Sequence, residues 1–351
     1  MRIRSIAPLA AAALTALGGS GPAFADASQR ISGPHVHANL AIYFIHGAST
    51  PGPVPSTLTE AVAKGKVQVI ETGQVNELKI ENTGDEEVFI QAGDMVKGGR
   101  QDRVLTVSLL LPPRSGSVSI SSFCVEPGRW SGRGSEDSTR FTSASEAMPS
   151  RKALIIMAAP PSADAVGPRS ADTASRQRQV WDSVAKIQAE LSAGVGAPVT
   201  APQSTTSLQL SLEHAKLKQA QGAFVAAIEV QGLKDADVIG YVAAINGKAV
   251  SANIYPSNGL FRKMWPKQLA AVATEAIGDK AGAAASAVPP AGLAREFLAA
   301  AEKGRAQGRE TAAKMFLETR ESEGALYNEA RGPSGGWVHK NYLAKSGEIM
   351  S

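Results

Sequence analysis

Cysteine and aromatic residues are scarce in this sequence of 351 residues. The single cysteine, Cys124, excludes an intrachain disulfide and a cysteine-rich zinc site. Aromatic side chains make up 5% of the chain, so Ala, Val, Leu and Ile must build most of the core. Because apolar residues reach 43% and charged residues 19%, the composition disfavours disorder, a collagen-like structure and a coiled coil. A folded globular protein is expected.

Long apolar runs are also absent, so we expect no membrane span, which requires about 20 residues. The first 25 residues instead have the parts of a secretory signal: a basic start at 1–4, an apolar stretch at 6–17 and an A-x-A site ending at Ala25. Cleavage after Ala25 predicts a periplasmic or secreted protein. Cys124 lies far downstream of that site, so no lipid anchor is expected.

A strong net charge is missing as well. The formal charge is +4, and removal of residues 1–25 leaves 34 basic and 32 acidic residues. No long basic run interleaved with aromatic residues remains, so nucleic-acid binding is not expected. Phosphate-loop, zinc-protease and dinucleotide-binding motifs are absent. Residues 332–336 match G-x-S-x-G, but the proline before Ser334 and the glycines after it predict a flexible loop.

Short β-prone runs separated by turn residues fill the first half of the chain. They predict an antiparallel, sandwich-like β-rich half over residues 33–158, with a strand at 153–157. The Ser-, Gly- and Arg-rich stretch 131–150 is predicted to be a flexible loop. We expect this half to pack with a second half at 172–345 in one composite α+β domain over residues 26–345.

The second half predicts helices and strands together. Asn246-Gly247 separates two apolar runs and indicates a β-hairpin with a type I′ turn. Residues 224–230 are expected to add a strand, and 173–193 to form an amphipathic helix. An Ala- and Pro-rich linker is predicted at 281–290.

The first stretch that suggests chemistry is residues 92–103, where three glycines and five charged residues occupy twelve positions. Gly98 and Gly99 would let main-chain N–H groups approach a ligand. Lys97, Arg100 and Arg103 would supply cationic donors to a phosphate or carboxylate. The alternative is a hairpin with a solvated tip.

The second stretch is residues 123–130. Glu126-Pro127-Gly128-Arg129 is suited to a type II turn, which would project Glu126 and Arg129 beside Trp130. A ligand site and a surface ion pair with a packing tryptophan are both open interpretations. Cys124, which lies in the preceding strand, is expected to be a small buried side chain.

His35 and His37 are the candidates for metal binding, because an H-x-H pair on a strand faces one side. No third ligand can be placed beside them. Exposed polar side chains are therefore the favoured interpretation, and no metal site is predicted. The sequence identifies no cofactor, and it leaves the oligomeric state open.

These two stretches also carry a family resemblance. The runs G-G-x-Q-D-R, at 98–103, and C-V-E-P-G-R-W, at 124–130, resemble the family of ARG and rhodanese-phosphatase-superfamily-associated protein domains. ARG stands for ADP-ribosylglycohydrolase. The similarity continues through residues 238–265 and so implies that the family domain covers most of the chain. It implies no particular reaction.

The function expected first is binding of a small anionic or nucleotide-like ligand between the two stretches. Gln101 would offer an amide, Arg103 and Arg129 would contact the anion, Trp130 would stack and Glu126 would accept ribose-type hydroxyls.

Two alternatives remain open. One is a hydrolase acting on a phosphorylated or ADP-ribosyl substrate, with Glu126 or Asp102 as general base. The other is a non-catalytic structural or interaction protein of the cell envelope, in which both stretches only fix hairpins.

Overall fold

A computed structural model describes residues 29–134, 136–159, 171–279, 289–290 and 292–345. The predicted signal peptide lies outside these residues, as does the linker 281–290 except for its last two prolines. Within the described residues, seven helices accompany 17 strands that pair almost entirely antiparallel, which confirms the α+β class.

The strands are β1 (Arg30–His37), β2 (Leu40–His46), β3 (Ser56–Thr57), β4 (Val67–Glu71), β5 (Glu77–Asn82), β6 (Val88–Ile90), β7 (Asp94–Gly98), β8 (Arg103–Leu105), β9 (Leu109–Leu111), β10 (Gly116–Cys124), β11 (Arg140–Ala147), β12 (Val238–Ile245), β13 (Lys248–Ile254), β14 (Arg305–Glu310), β15 (Phe316–Glu321), β16 (Ala325–Arg331) and β17 (Trp337–Ala344). The helices are α1 (Leu58–Ala63), α2 (Arg151–Ala158), α3 (Ala171–Val195), α4 (Leu208–Leu212), α5 (Ala215–Lys234), α6 (Asn258–Gly278) and α7 (Leu293–Glu302).

Six strands close into a barrel in the order β10-β5-β4-β11-β7-β8. Closure depends on two long strands that change partner along their length. The first six residues of β10 pair with β5 and its last three with β8, while β11 pairs with both β4 and β7. The sandwich-like prediction was therefore wrong. The flexible loop predicted at 131–150 was wrong as well, because β11 occupies its second part.

The second large unit is an eight-stranded antiparallel sheet in the order β1-β2-β12-β13-β17-β16-β15-β14. It joins two strands from the start of the chain to six from its end. The predicted hairpin is confirmed between β12 and β13, where Asn246 and Gly247 have φ of 52° and 79°. A small sheet of β3, β6 and β9 completes the β structure of the described residues.

Two predicted strands are helices. Residues 153–157 lie in α2, and its N-cap is Ser150, whose hydroxyl accepts the Ala153 N–H at 3.4 Å. Ala153 and Met157, four residues apart, are buried on one face. Residues 224–230 lie in α5, where Phe224 and Ile228 show the same spacing. In both segments the burial of apolar side chains four residues apart favours a helix, and this outweighs their β-prone composition.

Helices α5 and α6 pack on one face of the sheet, and α7 packs on the opposite face. The predicted amphipathic helix is α3, and it buries Val180, Val184, Ile187 and Leu191. Helix α6 continues through Pro266 as a single helix. None of the described helices has the length and apolarity needed to cross a membrane.

Candidate functional site

The fold brings the two charged stretches together at one end of the barrel. The Gln101 amide donates to the main-chain carbonyl of Glu126 at 2.9 Å, and the Asp102 N–H donates to the Glu126 carboxylate at 3.1 Å. Arg129 donates to the carbonyl oxygens of Gly98 and Gly99 at 3.2 and 3.1 Å. The loop between β7 and β8 is thus bonded directly to the turn that follows β10.

Asp102 and Glu126 are both completely buried, and guanidinium groups surround them. Arg133 lies 3.1 Å from each of the two carboxylates. Arg129 contacts Glu126 at 2.6 Å and Asp102 at 3.5 Å. We refer to Asp102, Glu126, Arg129 and Arg133 as the ionic cluster. Its pairing leaves neither carboxylate facing solvent.

The ionic cluster also connects the barrel to the helices. The Ser207 hydroxyl donates to Asp102 at 2.8 Å and, as the N-cap of α4, accepts the Leu210 N–H at 3.1 Å. Gln177 of α3 bonds both main-chain groups of Cys124 at 3.0 and 2.9 Å. Barrel, α3 and α4 therefore meet at this cluster.

The two carboxyl groups have opposite pKa shifts. Burial, and then the charge of Glu126, raise the pKa of Asp102 above its ordinary value. Burial also acts to raise the pKa of Glu126, but hydrogen bonds from Arg129, Ser204 and the Asp102 N–H outweigh it and lower that pKa. Glu126 is therefore the carboxylate that stays ionised most readily. The Glu126 carboxylate already forms ion pairs with Arg129 and Arg133.

Arg103 is buried rather than available to a ligand. Its side chain is completely inaccessible and donates to the Gln101 amide oxygen at 3.1 Å. The carboxylate of Glu71 lies 3.5 Å away on another side. The guanidinium lies 5.9 Å from the centre of the Trp130 ring. Arg103 thus makes a cation–π contact with Trp130.

Trp130 and Arg100 form the exposed part of the site, which we call the Trp130 face. The Trp130 side chain is 43% exposed, and the Arg100 guanidinium lies 5.4 Å from its ring centre. Among the described residues, no carboxylate pairs with that guanidinium, whereas the Arg100 N–H donates to Glu71 at 3.3 Å. Lys97 points elsewhere and pairs with Glu213 at 2.9 Å.

Cys124 is buried, as expected, and burial raises the pKa of its thiol. This environment suits a packing side chain rather than a thiolate nucleophile. Residues 332–336 link strands β16 and β17, so no helix follows Ser334 and the elbow of a serine hydrolase is not formed.

The histidine pair packs against aromatic rings. His35 lies 5.3 Å from the Phe44 ring and His37 lies 4.8 Å from the Phe224 ring. In the described part of the chain, the residues grouped closely enough to ligate a metal are instead His46, Asp235 and Asp237.

A cation already occupies the approach to that group. The Arg30 guanidinium lies 2.7 Å from His46 Nδ1 and 3.3 Å from Asp237. The Asp237 carboxylate contacts the same Nδ1 at 2.7 Å. These contacts pair His46 and Asp237 with each other and with Arg30.

Sequence reasoning missed Glu71, Arg133 and Ser207. Arg133 fell within the stretch assigned to a flexible loop, and Ser207 lies 74 positions further on. The only local signal at Ser207 was its position at the start of a helix, which indicated helix capping. No spacing rule connects three such distant residues.

Comparisons with known proteins give a family but no activity. No curated protein and no solved structure matches the chain. The model of the ARG and rhodanese-phosphatase-superfamily-associated protein domain matches residues 28–343, which include the barrel, the sheet and the ionic cluster. The chain therefore belongs to the family of ARG and rhodanese-phosphatase-superfamily-associated protein domains.

Proposed function

We propose that this chain is an exported, non-catalytic protein that binds a small anionic, nucleotide-like ligand on the Trp130 face. The observation that carries the proposal is an exposed tryptophan ring beside the guanidinium of Arg100, which no described carboxylate neutralises. A flat heterocycle stacks on such a ring, and a guanidinium binds phosphate or carboxylate through paired hydrogen bonds. Export rests on the predicted signal at residues 1–25.

The ionic cluster supports this face instead of contacting the ligand. The Gln101 amide donates to the main-chain carbonyl of Glu126. Arg129 pairs with the Glu126 carboxylate and donates to the glycine carbonyls. Arg103 packs behind the Trp130 ring. A ligand on the face would meet a surface whose shape is fixed before binding, which lowers the entropy cost of association.

The burial of both carboxylates favours binding over hydrolysis. A general base must come within hydrogen-bond reach of the proton it removes. Asp102 and Glu126 have no exposed surface, and Arg129 and Arg133 contact both. The hydrolase prediction would require this cluster to open.

Replacing Trp130 by alanine tests the proposal. We expect the purified chain to bind ADP-ribose or adenosine monophosphate in calorimetric titration, and W130A to weaken that binding roughly tenfold or more, as for loss of one stacked base. R100Q should weaken binding of the anionic ligands and leave adenosine unaffected. A matched control is W337A, because Trp337 also lies under a cation, with Lys340 5.3 Å from its ring.

Equal affinity in W130A and the unmodified chain would overturn the proposal. Failure of the unmodified chain to bind any of these compounds would instead favour the structural alternative. Recovery of the chain from the periplasm with Asp26 as its first residue would support export.

A further inference from the structure

A second cation-lined cavity, which contains neither Arg100 nor Trp130, lies between the barrel, the start of α3 and β14. We call it the basic groove. Its volume is about 320 Å³, within the range of sites for small organic ligands. Arg176 of α3, Arg309 of β14 and Phe123 of β10 line it.

Arg309 is the uncompensated charge of the basic groove. The side chain is half-buried, and no hydrogen bond or ion pair joins it to another described residue. Burial lowers the pKa of its guanidinium. A partly desolvated cation without a partner is unfavourable, so a bound anion would relieve this cost.

Arg176 places a second guanidinium in the same groove. It donates to the main-chain carbonyls of Ile156 and Met157, at the end of α2, at 2.8 to 3.0 Å. Burial, opposed by Asp172 and assisted by the charge of Arg309, lowers its pKa. The Asp172 carboxylate forms a long ion pair with Arg176 at 3.9 Å, beyond hydrogen-bond distance, and Arg309 has no such partner among the described residues. The two arginines therefore repel each other across the groove.

Neutral hydrogen-bonding groups surround these cations. The Ser122 hydroxyl is buried, lines the groove and has no hydrogen-bond partner. Ser119 and Ser121 expose their hydroxyls on the outer side of β10, and exposed Lys79 is paired in register with Ser119. Glu77 is the one carboxylate among the lining residues, so the lining has a positive charge.

We infer that the basic groove is a binding site for a small phosphate monoester, with Arg176 and Arg309 on the phosphate and Phe123 against its organic part. Two guanidinium groups match the oxygen geometry of a phosphate, and arginine recognises it better than a point cation does. The Phe123 ring, 5.2 Å from the Arg176 guanidinium, adds an apolar wall. This site would act in addition to the Trp130 face.

The test compares two arginines of one strand. Glucose 6-phosphate and inorganic phosphate are titrated calorimetrically into the purified chain at physiological salt, with glucose as the neutral probe. We expect the ester to bind more tightly than phosphate and glucose not to bind. R309Q should weaken binding of the ester roughly tenfold or more, the usual effect of losing a charge-assisted contact.

R305Q is the matched control, since Arg305 is exposed on β14 and its replacement changes the net charge equally. An equal loss in R305Q would show general attraction of anions and overturn the site, as would unchanged affinity in R309Q. Neither variant should unfold at a lower temperature than the unmodified chain. W130A should bind the ester normally, so this result is independent of the Trp130 face.

Discussion

At the scale of single residues, the ionic cluster is where the arrangement of charges matters most. Sequence reasoning placed Glu126 and Arg129 beside the loop that contains Asp102, and in the structure these two segments are in contact. Their burial was not predictable, because it depends on Arg133 and Ser207, which approach from distant parts of the chain. Local patterns identify turns, whereas burial is a property of the folded chain.

Replacing Glu126 by glutamine should strongly destabilise the protein. The amide keeps the shape of the side chain but leaves Arg129 and Arg133 sharing one acid inside the protein. We expect the free energy of unfolding in urea to fall by about 3–5 kcal/mol, as for other broken buried ion pairs. E136Q is the control: Glu136 also pairs with Arg133, but it is 28% exposed, so the loss should stay below about 1 kcal/mol.

A stable E126Q variant that had lost a measurable hydrolytic turnover would support the general-base hypothesis instead. Wild-type stability without any such loss would show that the cluster contributes little to the fold.

At the scale of elements, local patterns succeeded where one turn or cap decides the structure. The Asn246-Gly247 hairpin was predictable, and α1 begins at a similarly local signal, the capping box of Thr57 and Glu60. The strand predictions at 153–157 and 224–230 were wrong because short apolar runs fit a strand as well as a helix. Closure of the barrel was not predicted either, since it requires β10 to pair with two strands far apart in sequence.

Gly99 allows the loop after β7 to approach β11 closely. Its φ is +55°, and a Cβ there would lie 2.2 Å from the Phe141 ring. Gly128 also has a positive φ, +88°, but a Cβ there would meet nothing within 4 Å. Both alanine variants should lose about 1 kcal/mol from the backbone conformation.

G99A should lose a further 1–3 kcal/mol, roughly the cost of overpacking a core. Urea unfolding of G99A and G128A gives this difference directly. Equal losses would mean that Phe141 moves aside without cost, and that close packing of this loop is not needed for the barrel.

At the scale of the whole molecule, one largely buried carboxyl group makes stability depend on pH. Glu275 of α6 accepts a hydrogen bond from Arg151 of α2 at 2.6 Å. Burial raises the pKa of Glu275 to about 7, with Asp279 adding to the rise and Arg151 opposing it. Between the unfolded pKa, near 4.5, and pH 7 the folded chain therefore binds more protons than the unfolded chain.

Raising the pH from 5 to 8 should accordingly weaken the fold. We expect the unmodified chain to lose roughly 1–3 kcal/mol more of its unfolding free energy over this range than E275Q, which cannot titrate there. Urea unfolding of both chains at the two pH values provides the comparison. Parallel losses would show that Glu275 is ionised in the folded chain throughout.

The extent of the domain remains a prediction for residues 26–345. The eight-stranded sheet favours one unit, because β2 from the β-rich half pairs along its length with β12 from the other half. The ionic cluster adds a second connection, from the barrel to α4. A domain boundary near residue 160 would place β2 and β12 in different domains, and likewise Asp102 and Ser207.

The pairing of β2 with β12 also sets the order in which the chain can fold as it is made. All seven residues of β2 are buried in the finished protein, yet their inner neighbour begins at Val238. A ribosome or export channel releases nearly two hundred residues after β2 before it releases β12. Until then, β2 can pair only with β1 in this sheet. Contacts so distant in sequence slow folding and leave apolar strands open to wrong partners. The molecule therefore completes its central sheet only late in synthesis.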